Sequence, residues 1–168
     1  MSKSDLQTIR KEELGLTREE ACDLIQMGMT VSRLEYIEKN NRPTPEELRN
    51  IARAYRRPSL LYHYCLNTCD IGKCVFPKIL NEDLSQLTVR LIDGLNRFEY
   101  KKDALIDISA DDRISADEIE DFVRIEEDIE KLTDSLASIR LWRDSMLAKG
   151  MIDTEKYSEI KRRRASKK

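Results

Sequence analysis

Three sets of residues in this 168-residue chain carry side chains that could do chemistry. The first is soft. His63, Cys65, Cys69 and Cys74 place four potential ligands of a tetrahedral ion such as zinc within a twelve-residue stretch. The spacing lacks the paired short knuckles of common zinc sites. Cys65 and Cys69 are expected to share one helical face, where free cysteine packs as a small hydrophobe. The second set is hard. Residues 107–118 place Asp107, Ser109, Asp111, Ser115 and Glu118 at the oxygen positions of a calcium loop, with backbone at the seventh position and Ile114 at the eighth. The sixth position needs glycine for a sharp turn, and here it is Asp112. The same residues read as a turn made by Asp111 and Asp112, then a capping box from Ser115 to Glu118. No metal and no cofactor is the expectation, with a cysteine or calcium switch as the alternative. The third set is the run Thr30-Val31-Ser32-Arg33 with Tyr36, followed by Asn40-Asn41-Arg42. Hydroxyl, amide and guanidinium groups are the types that bond base edges and phosphates.

No catalytic constellation accompanies them. His63 has no nucleophile or acid at a telling spacing, and there is no phosphate loop, dinucleotide fingerprint or metalloprotease motif. Acid pairs such as Glu126-Glu127 belong on a solvated helix face. Enzymatic activity is not expected.

The elements that position these groups follow from a composition rich in Glu, Lys, Arg, Leu and Ile and poor in Gly, Pro and aromatics, which favours helix nearly throughout. Ser4 with Gln7 reads as the cap of a first helix with the stripe Leu6, Ile9 and Leu14, ended by Gly15. Thr17 starts a second helix with Ala21, Leu24 and Ile25 facing inward and Cys22 in the core. Gly28 makes a turn. Thr30 caps a third helix, Val31 to about Lys39, anchored by Leu34 and Ile37. Thr44-Pro45-Glu46-Glu47 opens a fourth helix carrying Leu48, Ile51, Ala52 and Tyr55. Arg56-Arg57-Pro58 breaks it, and Ser59 opens a fifth with Leu60, Leu61 and Tyr64. Residues 1–66 thus read as one small domain and 67–81 as a cysteine-containing connector.

Residues 82–152 read as a helical hairpin. Its first stripe is Leu84, Leu87, Leu91, Leu95, Phe98, Lys102 and Leu105. Its second is Ile119, Phe122, Ile125, Ile129, Leu132, Leu136, Ile139, Trp142 and Met146. Each helix must bury its stripe against the other or against a partner. Residues 153–168 form a basic tail, Lys161-Arg162-Arg163-Arg164 through Lys168, expected to be disordered.

Residues 4–64 resemble the Cro/phage-repressor class of helix-turn-helix domains, the XRE family. The resemblance rests on Ile9-Arg10, on Gly15-Leu16-Thr17-Arg18-Glu19-Glu20, and on Gly28-Met29-Thr30. It continues through Leu34, Ile37 and Glu38 to Arg42-Pro43-Thr44-Pro45. It implies a lambda-repressor-like domain of five helices, which with the antiparallel, coiled-coil-like hairpin read from the stripes makes an all-α chain. It also implies that the helix over 31–39 enters the major groove while the helix before it crosses the backbone. On this mapping Thr30, Val31, Ser32, Arg33 and Tyr36 face outward, and Arg33 is placed for a two-point contact with guanine. Ser32 and Tyr36 suit bases or phosphates. Asn40, Asn41, Arg42 and Arg18 suit phosphates, with the second helix's N-terminus. Arg10 and Glu38 occupy positions that often form a structural ion pair. One departure stands out: between Cys22, where the family usually has a packed Ala, and Gly28 this chain is about two residues longer, so the turn or the end of the second helix must absorb them. The whole chain also resembles a group of clostridial regulators through Tyr62-His63-Tyr64-Cys65, Cys69-Asp70-Ile71-Gly72-Lys73, Pro77, Asp83-Leu84-Ser85-Gln86 and the Ile-Arg-Leu-Trp of 139–142.

A formal net charge of −2 excludes a protein that coats nucleic acid nonspecifically, so any DNA binding must come from a local face. No stretch is apolar enough to span a membrane and no leader opens the chain, so the nucleoid-associated cytosol is the expected location. The combined expectation is a bacterial, sequence-specific transcription regulator. It would be a repressor that reads an inverted repeat in double-stranded DNA as a homodimer held by its C-terminal helices. The alternatives are an antitoxin-like protein-interaction module, which the negative charge of Glu35 and Glu38 on this helix would suit, and a ligand- or metal-sensing regulator.

Overall fold

The computed structural model describes residues 5–111 and 113–166. The expected cap Ser4, the calcium-loop position Asp112 and the terminal Lys168 lie outside them. The chain divides into two compact units, residues 1–76 together with 143–168, and residues 77–142. No β-strand occurs among the described residues.

In the first unit the helices are α1 (Asp5–Thr8), α2 (Arg18–Ile25), α3 (Val31–Asn40), α4 (Pro45–Ala54), α5 (Ser59–Asn67) and α6 (Asp70–Val75). α1 runs on as a π-helical turn, Ile9–Glu13, closed by the Leu14 N–H on the Ile9 carbonyl at 3.0 Å. Gly15 follows at φ +65, the left-handed conformation that a residue without Cβ adopts freely. The caps of α2 and α4 are full capping boxes, Thr17 with Glu20 and Thr44 with Glu47. Thr30 caps α3 through its hydroxyl. Ala21, Cys22, Ile25, Leu34, Ile37, Leu48, Ile51, Ala52, Tyr55 and Leu60 close one core. Leu24, expected inward, is half exposed. α2 stops one residue later, so the core needs only Ala21, Cys22 and Ile25 from it.

Two charged side chains of this unit, Arg10 and Glu38, are buried beside this core. The carboxylate of Glu38 is fully buried and receives three donors: Arg10 Nε at 2.5 Å, Arg10 Nη2 at 3.1 Å and Arg18 Nε at 2.9 Å. Arg10 also donates through Nη1 to the Leu16 carbonyl at 2.7 Å. The Glu38 hydrogen bond raises the Arg10 pKa against the opposing effect of burial. One carboxylate thereby ties the π-turn after α1, the start of α2 and the last turns of α3.

α6 lies inside the stretch expected as a connector. Its Gly72 packs so tightly on α5 that a Cβ there would sit 2.2 Å from the Cys65 carbonyl oxygen. The basic tail, expected to be disordered, is largely helical. It forms α9 (Thr154–Ala165), whose start Asp153 caps by accepting from the Lys156 N–H. Arg162, Arg163 and Arg164 occupy its last turn, where the helix dipole favours cations.

The second unit holds α7 (Leu84–Ile108), capped by the Asp83–Gln86 box, and most of α8 (Ile119–Ala148). Their contacts step in opposite directions: Gly94 meets Leu132, while Lys101 Nζ meets Asp128 at 2.6 Å and the Arg124 carbonyl at 3.2 Å. The pair is therefore antiparallel. Its seam follows most of the expected stripes, with Leu91, Phe98, Leu105, Phe122, Leu132, Ile139, Trp142 and Met146 half-buried, but departs from them at several positions. Leu87, Gly94 and Ile108 are buried on α7 while Leu95 is half exposed, and Ile125, Asp128, Ser135 and Ser138 are buried on α8 while Ile119, Ile129 and Leu136 are exposed. Glycine at 94 admits Leu132 of the expected stripe into the seam, and Gly94, Asp128, Ser135 and Ser138 join it. The buried polar groups have partners: Asp128 takes Lys101, and Asp134 and Ser138 accept the backbone N–H groups of Lys78 and Leu80, each at 2.8 Å.

Removing one member of a buried ion pair strands the other, at a cost of about 3–5 kcal/mol. Glu38→Ala is therefore expected to lower the unfolding free energy by about that amount in urea titration. A loss under about 1 kcal/mol, the value of an exposed pair, would show that the cluster is open to solvent.

Candidate nucleic-acid interface

The turn between α2 and α3 takes up the extra length noted in the sequence. Gln26, Met27 and Gly28 have φ values of 58, 54 and 75, and the Met29 N–H closes on the Gln26 carbonyl at 3.1 Å. Positive φ at both central residues matches the pattern of a type I′ turn, for which Gly28 is suited and Met27 is strained. Cys22 is buried and its thiol pKa is raised, chiefly by burial.

On α3 the expected outward residues divide. Ser32 is exposed and Tyr36 is 44% exposed. Val31 is half-buried against the core, and the Thr30 hydroxyl is taken by the Arg33 N–H at 3.2 Å. Arg33 is held by Glu47 in a two-point pair, Nε to Oε1 at 2.7 Å and Nη2 to Oε2 at 2.8 Å. Its guanidinium lies 5.1 Å from the centre of the Tyr36 ring, and Nη2 also reaches the Arg42 carbonyl at 3.4 Å.

In the loop after α3, the Asn40 amide donates to the Tyr36 carbonyl at 2.9 Å. Asn41 ends the helix at φ 52, and Arg42 is exposed. Arg18, expected at phosphates, is engaged by Glu38 and lies 3.9 Å from Glu35. It also walls an open groove of about 410 Å³ with Lys11 and Thr17 at the start of α2. Lys39 pairs with Glu35 at 2.7 Å and Arg49 with Glu46 at 3.6 Å.

Glu47 is the residue that sequence reasoning left out of the site. The Thr44-x-x-Glu47 pattern marked it as a helix cap, and it does accept the Thr44 N–H at 2.7 Å. Its second role depends on how α3 and α4 approach each other, which no local pattern encodes. The Arg33 hydrogen bond, followed by the bonds from Thr44, depresses its carboxyl to about 2 despite some burial. The Lys39 contact likewise lowers Glu35.

The other candidate ligands do other work. Cys65 lies in α5, whereas Cys69 begins the next helix, where its sulfur accepts from the Gly72 N–H at 3.4 Å. The two do not share a helix as expected, because α5 ends at Asn67. His63 is on α5 and exposed, and Cys74 is exposed on α6. After α7, Ser109 donates to the Ile106 carbonyl at 2.8 Å, and Asp111 accepts the Arg113 N–H at 3.1 Å. Glu118 folds back on Ser115, accepting its N–H at 2.8 Å and its hydroxyl at 2.5 Å, while Asp107 is exposed. Among the described residues no three His, Cys, Asp or Glu side chains are grouped to hold a metal ion. No helix among them is long and apolar enough to cross a membrane.

The Arg33–Glu47 pair has a pH signature. A carboxyl depressed from 4.5 to about 2 contributes stability that is complete above 4.5 and is lost as pH falls through 2. The stability difference between the wild type and Glu47→Gln is thus expected to be constant above about pH 5.5 and to shrink below 4.5, as read by urea unfolding at each pH. A difference independent of pH from 6 to about 2.5 would mean that the pair does not form in solution.

Compared with known proteins, residues 6–60 match the helix-turn-helix family model, about a third of the chain. No curated protein and no solved structure matches. The matched segment begins at the first core residue of α1, ends at the first buried residue of α5, and contains the Glu38 cluster and the α2–turn–α3 unit. Over residues 6–60 the chain is similar to the Cro/C1-type helix-turn-helix domains, whose family is one of DNA-binding transcription regulators.

Proposed function

We propose that this protein is a dimeric, sequence-specific DNA-binding repressor that reads an inverted repeat through α3. The observation that carries the reading is the outer face of α3, where Ser32, Arg33 and Tyr36 stand beside exposed Arg42 on a helix anchored by Leu34 and Ile37. A major groove admits one such helix, and side chains near its N-terminus reach base edges. Arg33 reads guanine, Ser32 and Tyr36 contact bases or phosphates, and Thr30 and Val31 seat the start of the helix. Arg42, Asn40, Asn41 and the start of α2 with Arg18 face phosphates. Most of the cations here carry an intramolecular acid partner. That favours base reading over bulk electrostatic attraction, and predicts weak binding by a single domain.

Dimerisation supplies the missing affinity by linking two half-site contacts. The hairpin offers the surface. Leu95 follows Gly94 on α7, while Ile129 follows Asp128 and Leu136 follows Ser135 on α8. In an antiparallel pair these flanking positions share one side of the seam. Segment 77–82 is bound through Asp134 and Ser138 on the other side. Ile92 and Ile106 extend the uncovered apolar strip, and a second hairpin covering it makes a four-helix bundle.

The same acid-paired cations favour a second reading, in which the α3 face binds a protein. One experiment separates the two: selection of bound duplexes from a random library by the full-length protein at near-physiological salt. The expected result is enrichment of an inverted repeat with half-sites about one helical turn, ~34 Å, apart. Folded protein that enriches nothing would transfer the assignment to the protein-binding reading. Leu95→Lys combined with Leu136→Lys is expected to give a monomer by sedimentation and to lose the repeat. A dimer that survives the double change would place the interface elsewhere.

A further inference from the structure

The side chain best placed for guanine is not free in this structure; it is gripped. Glu47 takes the Nε–Nη2 edge of Arg33 at 2.7 and 2.8 Å, and Tyr36 lies against the guanidinium at 5.1 Å. Glu47 is tied to the start of its own helix. The same carboxylate accepts the Thr44 N–H at 2.7 Å, and Pro45 follows as the first residue of α4. The guanidinium is therefore hydrogen-bonded to a side chain of a different helix from the one that carries it. Arg33 and Glu47 line an open groove of about 540 Å³ between the α2–α3 turn and the first turn of α4, so the pair borders solvent.

The hydrogen-bonding geometry of arginine makes this grip selective. The guanidinium has two faces for two-point contacts: the Nε–Nη2 edge and the Nη1–Nη2 end. Glu47 occupies the first. The second still carries N–H groups from both terminal nitrogens, with Nη2 lightly shared with the Arg42 carbonyl at 3.4 Å. A guanine offers O6 and N7 to such an end. Two consequences follow. Orienting Arg33 before DNA arrives removes rotamer freedom that a free arginine would lose on binding. Pairing its charge weakens its pull on any phosphate, and that pull is the sequence-independent part of binding.

We propose that Glu47 is a specificity-determining positioning residue, which presents Arg33 end-on to one guanine and suppresses its attraction to phosphate. This rests on the reading of α3 as the DNA-reading helix. It adds that the discrimination of α3 is set from α4.

The test uses the full-length protein and the duplex found by selection, variants with each base pair replaced in turn, and an unrelated duplex, all at one salt concentration. Arg33→Ala is expected to lose about tenfold in discrimination at one base pair, the scale of one two-point base contact. Glu47→Gln, whose amide oxygen can still accept the Thr44 N–H, is expected to lose discrimination at that same base pair and to bind the unrelated duplex more tightly. The double variant is expected to discriminate no worse than Arg33→Ala alone. Glu47→Asp keeps a carboxylate at the cap but draws it back from Arg33, and is expected to lose discrimination at that same base pair, which keeps the test decisive if Glu47→Gln folds poorly. A merely structural Glu47 would lower the melting temperature and leave discrimination at every base pair intact, which overturns the proposal. Uniformly tighter binding with discrimination intact would make Glu47 a mask and overturns it equally. If the wild type prefers no duplex, the reading of α3 itself fails. That outcome is distinct from a discriminating wild type matched by a discriminating Glu47→Gln.

Discussion

The architecture of the first unit depends on a single buried carboxylate. Burying Glu38 in an apolar core would be prohibitive unless its oxygens met donors, and Arg10 and Arg18 supply three. Because those arginines come from either side of the α1–α2 connection, satisfying one charge fixes three chain segments. Apolar packing of Leu34 and Ile37 holds α3 in place but tolerates sliding and rolling; directional hydrogen bonds at its C-terminal turns restrict both. The orientation of the α3 outer face, and with it any DNA reading, is inherited from this cluster.

That outer face is governed by the same chemistry under different exposure. Arg33, Lys39 and Arg49 each meet an acid at or near the surface, where an isolated pair contributes little to stability. Their effect is on availability and direction. A chain with net charge −2 cannot rely on long-range attraction to a polyanion. Its selectivity must come from a few well-directed groups, and two-point pairing by a carboxylate is one way to direct an arginine.

Much of this was legible in the residues. The caps Thr17, Thr30 and Thr44, the left-handed Gly15, and the core positions Leu34, Ile37 and Ile51 all follow from local rules that tertiary structure did not override. The Arg10–Glu38 pair was legible only through the resemblance, because its partners are 28 positions apart. The hairpin stripes are legible at Leu87, Phe98, Ile125 and Leu132 but not at Leu95, Ile129 and Leu136, which are exposed. The hairpin's helices carry overlapping apolar stripes, and the choice between them was made by Gly94 accepting Leu132 and by buried Asp128, Ser135 and Ser138, which a hydrophobic pattern counts as surface. The tail helix is not legible in its run of cations, whose pattern suits a disordered segment equally, and depends on Asp153 as its cap. Glu47 was read for its nearest partner and not for its farther one.

The central claim is that the α3 face meets duplex DNA. The most direct test is nuclear magnetic resonance of the full-length, isotope-labelled protein titrated with a mixed-sequence duplex at low salt. The account predicts that amide shifts concentrate at residues 30–36, at 40–42 and around Thr17 and Arg18, with the hairpin amides of 84–140 nearly unmoved. Shifts confined to the hairpin or the basic α9, with 30–42 silent, would contradict it.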